Sequence, residues 1–249
     1  MPSNFWTDPA TKPLIVAHRG GAALAAENTL AAFEAAATIG ADAIETDVRM
    51  TRDGALVCLH DADLQRLCGD PRAVAELDLA TLQGLLPTVM TLDVALAASA
   101  PMGLLLDVKL RDRTSLADIV HRVERGKAVE RTLLGLRSLD FIAVARSART
   151  DIAILAFLED PESAAAAGEA GANWFRLWQG VANPARAIAV RDAGMHLAIM
   201  VGQPRTVPLP GYPPFPVGLI DRDGLESLRP LAPDAILLDD PRLAVAAGY

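Results

Sequence analysis

The sequence is short of cysteine, has no surplus of positive charge and contains no long apolar run. Only two cysteines occur in 249 residues, Cys58 and Cys68. They form neither a C-x-x-C pair nor a Cys/His zinc pattern, which argues against structural zinc and against a disulfide framework and predicts a reduced, cytoplasmic setting. Lys and Arg total 23 against 31 Asp and Glu, for a net charge of -8. That sign opposes non-specific attraction to nucleic acid or anionic membranes, so an anionic ligand must meet positive charge placed locally. No apolar stretch approaches the ~20 residues of a bilayer span, and no basic segment precedes an apolar core at the N-terminus, so neither membrane insertion nor export is expected.

What is present is material for one large core. Hydrophobic residues make up 51% of the chain and charged residues 22%. The length suits a single (β/α)8 barrel, with disorder expected only in the first dozen residues. Short apolar, β-branched runs alternate with Ala-rich helical stretches, the pattern of parallel strands covered by helices. Strands are predicted at 14–18, 43–48, 55–60, 103–109, 132–137, 152–157, 173–178, 196–201 and 235–239, one more than a barrel holds. The surplus resolves at Thr51-Arg52-Asp53-Gly54, a tight hairpin signal, so that 55–60 returns antiparallel outside the barrel count.

The fold predicted is therefore a (β/α)8 TIM barrel forming one domain over 1–249, with a hairpin after its second strand and a short insertion at about 61–90. Residues 61–102 read as a loop around Gly69-Asp70-Pro71, a helical piece near 77–86 and a helix at about 91–99. An amphipathic helix at 27–39 is expected on the barrel's outside, without a part in chemistry. The Pro-rich stretch 202–221 reads as a long loop after a strand end.

In such a barrel the strand C-termini form one mouth, and polar groups follow the apolar runs there. The first strand delivers His18 and Arg19, the second Glu45 and Asp47, the hairpin His60, and the next barrel strand Asp107 and Lys109. Glu45 and Asp47, two apart on a strand, share a face. A hairpin closing through Asp53-Gly54 sets His60 opposite Asp47; one closing through all four residues sets it opposite Glu45. Three converging carboxylates call for a cation, and oxygen ligands without thiolate favour Mg²⁺, Ca²⁺ or Mn²⁺. Arg19 and Lys109 are suited to a phosphate oxygen, and two histidines can act as acid and base on opposite sides of the phosphorus. A phosphate ester is thus the predicted small-molecule substrate. His121, within a helical stretch, and His196, at a strand start, are not site candidates.

The run His18-Arg19-Gly20, Glu27-Asn28-Thr29, Phe33, Gly40-Ala41-Asp42, Glu45-x-Asp47-Val48, Thr51-x-Asp53-Gly54, Val57, His60-Asp61, Leu64 and Arg66 resembles the signature of glycerophosphodiester phosphodiesterases. Asp107-Val108-Lys109 resembles that family's later E-x-K element, and Asp234-Ala235-Ile236 through Asp239 and Pro241 its closing D-G-I-x-T-D-x-P. The resemblance implies metal-dependent hydrolysis of glycerophosphodiesters to glycerol 3-phosphate and an alcohol. His18 and His60 would be the acid/base pair, Glu45, Asp47 and Asp107 the ligands of one divalent cation, and Arg19 and Lys109 the phosphate contacts.

The chain departs from the pattern in three places. Asp107 stands where Glu is usual, Ser138-Leu139 follows Arg137 where Ser-Phe is usual, and Met200-Val201-Gly202-Gln203 replaces W-T-V-N. The substrate half of the mouth has therefore changed. Trp178 is a candidate pocket wall, Trp174 belongs to the core, and Arg205, Tyr212 and Phe215 of the Pro-rich loop are within reach of a headgroup if that loop overhangs the mouth. Two other readings stay open: intramolecular attack that releases a cyclic phosphate, and a phosphate-ester binding protein without turnover.

Overall fold

Apolar runs bounded by turn residues bury both faces of a strand, and eight of them do so here by closing on themselves. The computed structural model describes residues 4–8, 11–110, 112–204 and 209–249. Its strands are β1 (Leu14–Ala17), β2 (Ala43–Met50), β3 (Leu56–Cys58), β4 (Asp63–Leu64), β5 (Asp70–Ala73), β6 (Gly103–Val108), β7 (Thr132–Leu136), β8 (Ala153–Ala156), β9 (Trp174–Trp178), β10 (His196–Met200) and β11 (Ala235–Leu238). The sheet runs β1-β11-β10-β9-β8-β7-β6-β2, and a parallel β1–β2 pairing, Val16 to Ala43, closes it. Eight parallel strands with helices between them make the barrel that the alternation predicted, and β3 pairs antiparallel to β2 on its outside.

Period-two alternation divides the strand residues between two cores. Val16, Ala43, Leu105, Leu133, Leu155, Trp174, Ala198 and Leu237 point inward and fill the lumen. Their neighbours, among them Ile15, Ile44, Leu104, Leu134, Ile154, Phe175 and Ile199, pack outward against the helices. Residues 4–8 plug the bottom of the barrel, contrary to the expectation of disorder there, whereas residues 1–3, 9 and 10 lie outside the described residues. Trp6 is 1% exposed, donates from its indole to the Arg131 carbonyl at 2.8 Å, and accepts at its own carbonyl from the Trp174 indole at 2.7 Å. An aromatic ring that finds both an apolar seat and a hydrogen-bond partner holds a terminus that charge and composition alone would leave loose.

Three local expectations need correcting. The hairpin adopts neither of the two predicted registers: Val48 pairs with Cys58 and Met50 with Leu56. Thr51 closes it by donating its N–H to the Ala55 carbonyl at 2.9 Å, around a three-residue turn whose Gly54 has a φ of +82°. β3 stops at Cys58, so His60 lies beyond the ladder and opposes neither acid within it. Next, the predicted loop at Gly69-Asp70-Pro71 is in part β5, which pairs with β4 in a separate two-stranded ribbon. The third concerns the helix predicted at 27–39, which spans Leu30–Thr38 with the Thr29 side chain capping the Ala32 N–H. Glu27 and Asn28 precede that helix and turn into the mouth, where Glu27 accepts from Arg19 and Asn28 donates to Asp47. The insertion's own small core, Val57, Leu59, Leu64, Val74, Leu77 and Leu82, roofs β3. No helix among the described residues is long and apolar enough to cross a membrane.

Candidate active site

Directly after β1 the chain makes one turn of 3-10 helix, His18–Gly20, with Arg19 at a φ of +52°. Gly20 is required there: its φ is +81°, and a Cβ would come within 2.8 Å of the Ala32 Cβ. This tight turn leaves His18 7% exposed. Its Nδ1 meets Asp239 Oδ1 at 2.6 Å, and its Nε2 faces Glu45 Oε2 at 3.9 Å. Burial works against the charged imidazole, but Glu45 and Asp239 outweigh it and raise the His18 pKa above its ordinary value. Asp239 follows β11, so the last strand of the barrel steers the histidine of the first. The Arg19 N–H in turn donates to Glu45 Oε2 at 2.8 Å.

Glu45 and Asp47 face inward from β2, and Asp47 lies in register with Asp107 on β6. One oxygen from each of Glu45, Asp47 and Asp107 lies within 4.8 Å of the others, and all three residues are buried. Burial and the Asp47 charge push the Glu45 carboxyl up to about 7. Burial raises Asp47 too, yet the charges of Lys109, His60 and Arg19 hold it far below the usual carboxylate range. Asp47 also accepts from Asn28 Nδ2 at 2.9 Å, while Asn28 Oδ1 accepts the Thr46 hydroxyl at 2.6 Å.

Cations and acids alternate across this half of the mouth. Arg66 pairs with Glu27 at 2.6 Å, Glu27 with Arg19 at 3.2 Å, and Arg19 Nε approaches Asp47 to 3.8 Å. Lys109 Nζ lies 2.9 Å from Asp47 and also bonds Asp107. Arg137 then grips Asp107 with two bonds, Nε to Oδ1 at 3.0 Å and Nη2 to Oδ2 at 2.5 Å. The shorter acid at position 107 is thus matched by a guanidinium reaching over from the end of β7. Ser138 beside it caps the helix Leu139–Ala148 by accepting the Phe141 N–H.

His60 enters from the hairpin. Its Nδ1 meets Asp61 Oδ1 at 2.7 Å, Arg66 holds Asp61 from behind at 2.6 Å, and the Arg49 guanidinium donates to the His60 carbonyl at 2.6 and 2.9 Å. Burial lowers the His60 pKa; Asp47 opposes this, and the charges of Arg19 and Lys109 add to it. A carboxylate on each Nδ1 fixes the orientation of both rings, so that any proton exchange with a ligand would fall to Nε2.

The far half of the mouth is built differently. Gly135 on β7 leaves room for the Phe157 ring, which a Cβ would meet at 2.3 Å. The Arg137 and Arg176 guanidiniums each lie over that ring at 5.4 Å, and Arg176 also lies over Trp178 at 4.8 Å. From the Pro-rich loop, the Tyr212 ring packs against Gly180, just past β9. Arg205 lies outside the described residues.

His18, Arg19, Glu45, Asp47, His60, Asp107 and Lys109 thus come together at one end of the barrel, with Trp178 on the opposite wall. His196 stacks on Trp174 at 4.7 Å at the barrel's bottom, and His121 is exposed on the helix Arg113–Arg125, so neither belongs to the mouth. Burial pushes the Cys58 thiol up to about 12, which makes it an apolar filler. Sequence reasoning gave no role to Asp239, Arg137, Asn28 or Glu27. The strand-end rule that found His18 and Asp107 applies equally to Asp239 and Arg137.

Residues 18–175 match the model of the glycerophosphoryl diester phosphodiesterase family. An 82-residue segment is 48% identical to the "Probable glycerophosphodiester phosphodiesterase 1" of Mycobacterium tuberculosis, covering 32% of this chain and 30% of that protein. The chain therefore spans less than a third of that relative's length. Among solved structures, a glycerophosphodiester phosphodiesterase from Thermotoga maritima superposes with a TM-score of 0.75 at 20% identity, over 96% of this chain and 99% of that one. An Oleispira antarctica phosphodiesterase in complex with the product sn-glycerol-3-phosphate does so with a TM-score of 0.75 at 21% identity, over 95% and 96%. At these identities the structural likeness establishes the shared barrel.

Proposed function

The chain belongs to the glycerophosphoryl diester phosphodiesterase family, and from that premise we propose that it hydrolyses glycerophosphodiesters to glycerol 3-phosphate and an alcohol, a reaction of lipid and glycerol metabolism. The observation that carries the proposal is the pairing of two carboxylate-anchored imidazoles with a buried trio of acids. The one barrel domain is proposed to hold the whole active site, with the insertion at 61–90 as part of it. A cytoplasmic setting is included, supported by two unpaired thiols, buried Cys58 and exposed Cys68.

Glu45, Asp47 and Asp107 could hold a metal ion, and their environment fits one. Like charges within 4.8 Å repel by about 3–4 kcal/mol at an effective dielectric near 20. The raised Glu45 carboxyl registers that cost, which a divalent cation would offset. Hard oxygen donors favour Mg²⁺ or Ca²⁺, with Mn²⁺ as a substitute. An ion held by these three carboxylates would supply Lewis-acid polarisation of a phosphoryl oxygen and stabilisation of developing charge.

The protein's own groups do the rest. Arg19 and Lys109 bind the phosphate oxygens, and Trp178 walls the pocket that takes the substrate's organic part. His60, with its pKa lowered, takes a proton from the attacking water at Nε2. His18, with its pKa raised and its Nδ1 held by Asp239, delivers a proton from Nε2 to the departing alkoxide as the phosphorus–oxygen bond breaks. Protonated His60 and neutral His18 then return to their starting states through solvent.

The test is phosphorus NMR of the products from glycerophosphocholine and glycerophosphoglycerol, with Mg²⁺, Ca²⁺ and Mn²⁺ each restored after chelation. Glycerol 3-phosphate is the expected product. A cyclic ester as the final product replaces simple hydrolysis with intramolecular attack, and binding without turnover of any diester refutes the enzyme.

A further inference from the structure

We propose that Arg176, flanked by Arg137, forms a second anion subsite in the far half of the mouth, so that the preferred diester carries a further anionic group, a carboxylate or a phosphate, on its alcohol half. The inference rests on the reading of the mouth as a phosphodiester site, and deepens it by naming the substrate class.

Arg176 points inward from β9 between Trp174 and Trp178. It is 5% exposed, yet it forms no ion pair with any described carboxylate. Among the described residues its Nε has no hydrogen-bond partner, and the side chain's one hydrogen bond is a long one, from Nη2 to the Leu158 carbonyl at 3.4 Å. Buried guanidiniums are ordinarily paired, because desolvation penalises the charge unless an anion or several hydrogen bonds compensate.

Here aromatic faces take the place of an anion. Phe157 and Trp178 lie against the guanidinium at 5.4 and 4.8 Å, which satisfies its π-face and leaves Nε, on its hydrogen-bonding edge, without a partner among the described residues. The edge is what matches the planar fork of a carboxylate or two oxygens of a phosphate. Arg137 lies over the same Phe157 ring, so two like charges share one aromatic seat, and Arg137 already spends its own bonds on Asp107. In a protein with a net charge of -8, two guanidiniums meet at this place, and Asp107 and Glu159 act on Arg176 only from beyond ion-pair distance. Burial and the Arg137 charge bring the Arg176 pKa down to about 10, which keeps it protonated at neutral pH.

The test compares three diesters that differ only in charge on the alcohol half: glycerophosphoglycerol, glycerophosphoglycerate and glycerophosphoglycerol phosphate. Dissociation constants are measured by calorimetry in the His60→Ala background, to suppress turnover, and kcat/KM is measured with the wild-type enzyme. One or both diesters with the second anionic group should bind at least tenfold more tightly than glycerophosphoglycerol. The arm that does so identifies carboxylate or phosphate as the recognised group. Arg176→Gln should bring the ratio to within twofold of one, and Arg176→Lys should keep part of it. Equal affinities for all three diesters, or a preference that survives Arg176→Gln in a protein with an unchanged circular dichroism spectrum, would overturn the proposal. Should Arg176→Gln fail to fold, the wild-type ratio and the Arg176→Lys variant decide. Turnover without charge preference refutes only the subsite, whereas charge preference without turnover of any diester refutes only the hydrolase reading.

Discussion

The two halves of the barrel mouth solve opposite electrostatic problems. On the side of β11, β1, β2 and β6, two imidazoles and a trio of acids crowd together, and cations interleave with them from Arg66 to Arg137. On the side of β7, β8 and β9 the groups are guanidiniums and aromatic rings, and Arg176 has no acid partner among the described residues. In one half burial and the Asp47 charge hold the Glu45 carboxyl up at about 7, and in the other Arg176 is buried without an ion pair to any described carboxylate. A metal ion would answer the first, and the proposed anionic group of the substrate the second. On the proposed roles the work divides as well: the proton-transferring imidazoles and the phosphate contacts Arg19 and Lys109 sit in the first half, and the groups that would recognise the rest of the substrate sit in the second.

The largest expected effect falls on the imidazoles. His60→Ala or His18→Ala should lower kcat by about 10²–10⁴, the usual contribution of a positioned acid or base. Metal affinity measured by calorimetry should persist, because neither ring belongs to the acid trio. A fully active His60→Ala enzyme would remove the first half's claim to the chemistry.

Next in size is the acid trio. A divalent ion should raise the melting temperature of the wild-type protein by mass action, and Glu45→Gln should weaken that response at least tenfold in metal concentration. The metal-free protein adds a signed check. Glu45 is raised from its ordinary 4.5 to about 7, so the folded state holds a proton that the unfolded chain has released. Its contribution to stability is full below 4.5 and is lost as pH rises towards and through about 7. Glu45→Gln should abolish that loss, and a metal-free melting profile with the same pH dependence in both proteins would contradict the crowding.

How much of this was legible in the sequence follows the same division. His18, Glu45, Asp47 and His60 fall within 43 residues, on a strand, its neighbour and the hairpin returning from it, so local pattern and pairing rules bring them together. The hairpin register was misread because the turn takes three residues around Gly54, a choice made by backbone conformation at one glycine. His60 reaches the site even so, since it lies past the ladder and the Arg49 guanidinium holds its carbonyl. The partners that orient the rings were less legible. Asp239 is 221 residues from His18, and only closure of the barrel makes them neighbours. Trp6 was invisible for the same reason: its seat exists only once β9 and the segment before β7 are in place.

A smaller effect tests that long-range contact. Asp239→Asn removes a negative charge and a charged acceptor from His18 Nδ1, so kcat should fall about tenfold, within the range seen when the partner of a functional histidine is lost. The pH profile gives the sign. The proposed roles need His60 neutral and His18 protonated, so activity should rise as pH climbs through the lowered His60 pKa and fall as pH climbs through the raised His18 pKa. Without Asp239 the His18 pKa drops, and the descending limb should move to lower pH while the ascending limb stays. A shift of the ascending limb instead would exchange the roles of the two rings.

The smallest expected effect lies across the mouth, at Trp178. Its ring covers one face of the Arg176 guanidinium at 4.8 Å and stands at the end of β9, away from the acids. Trp178→Ala should therefore raise KM a few-fold and leave kcat within about twofold, the signature of binding lost equally from ground and transition states. A fall in kcat that matches the fall in kcat/KM would mean that the ring acts on the transition state. The mouth would then have to be read as one catalytic surface, because a residue with no bond to either imidazole or any of the three acids would be sharing their work.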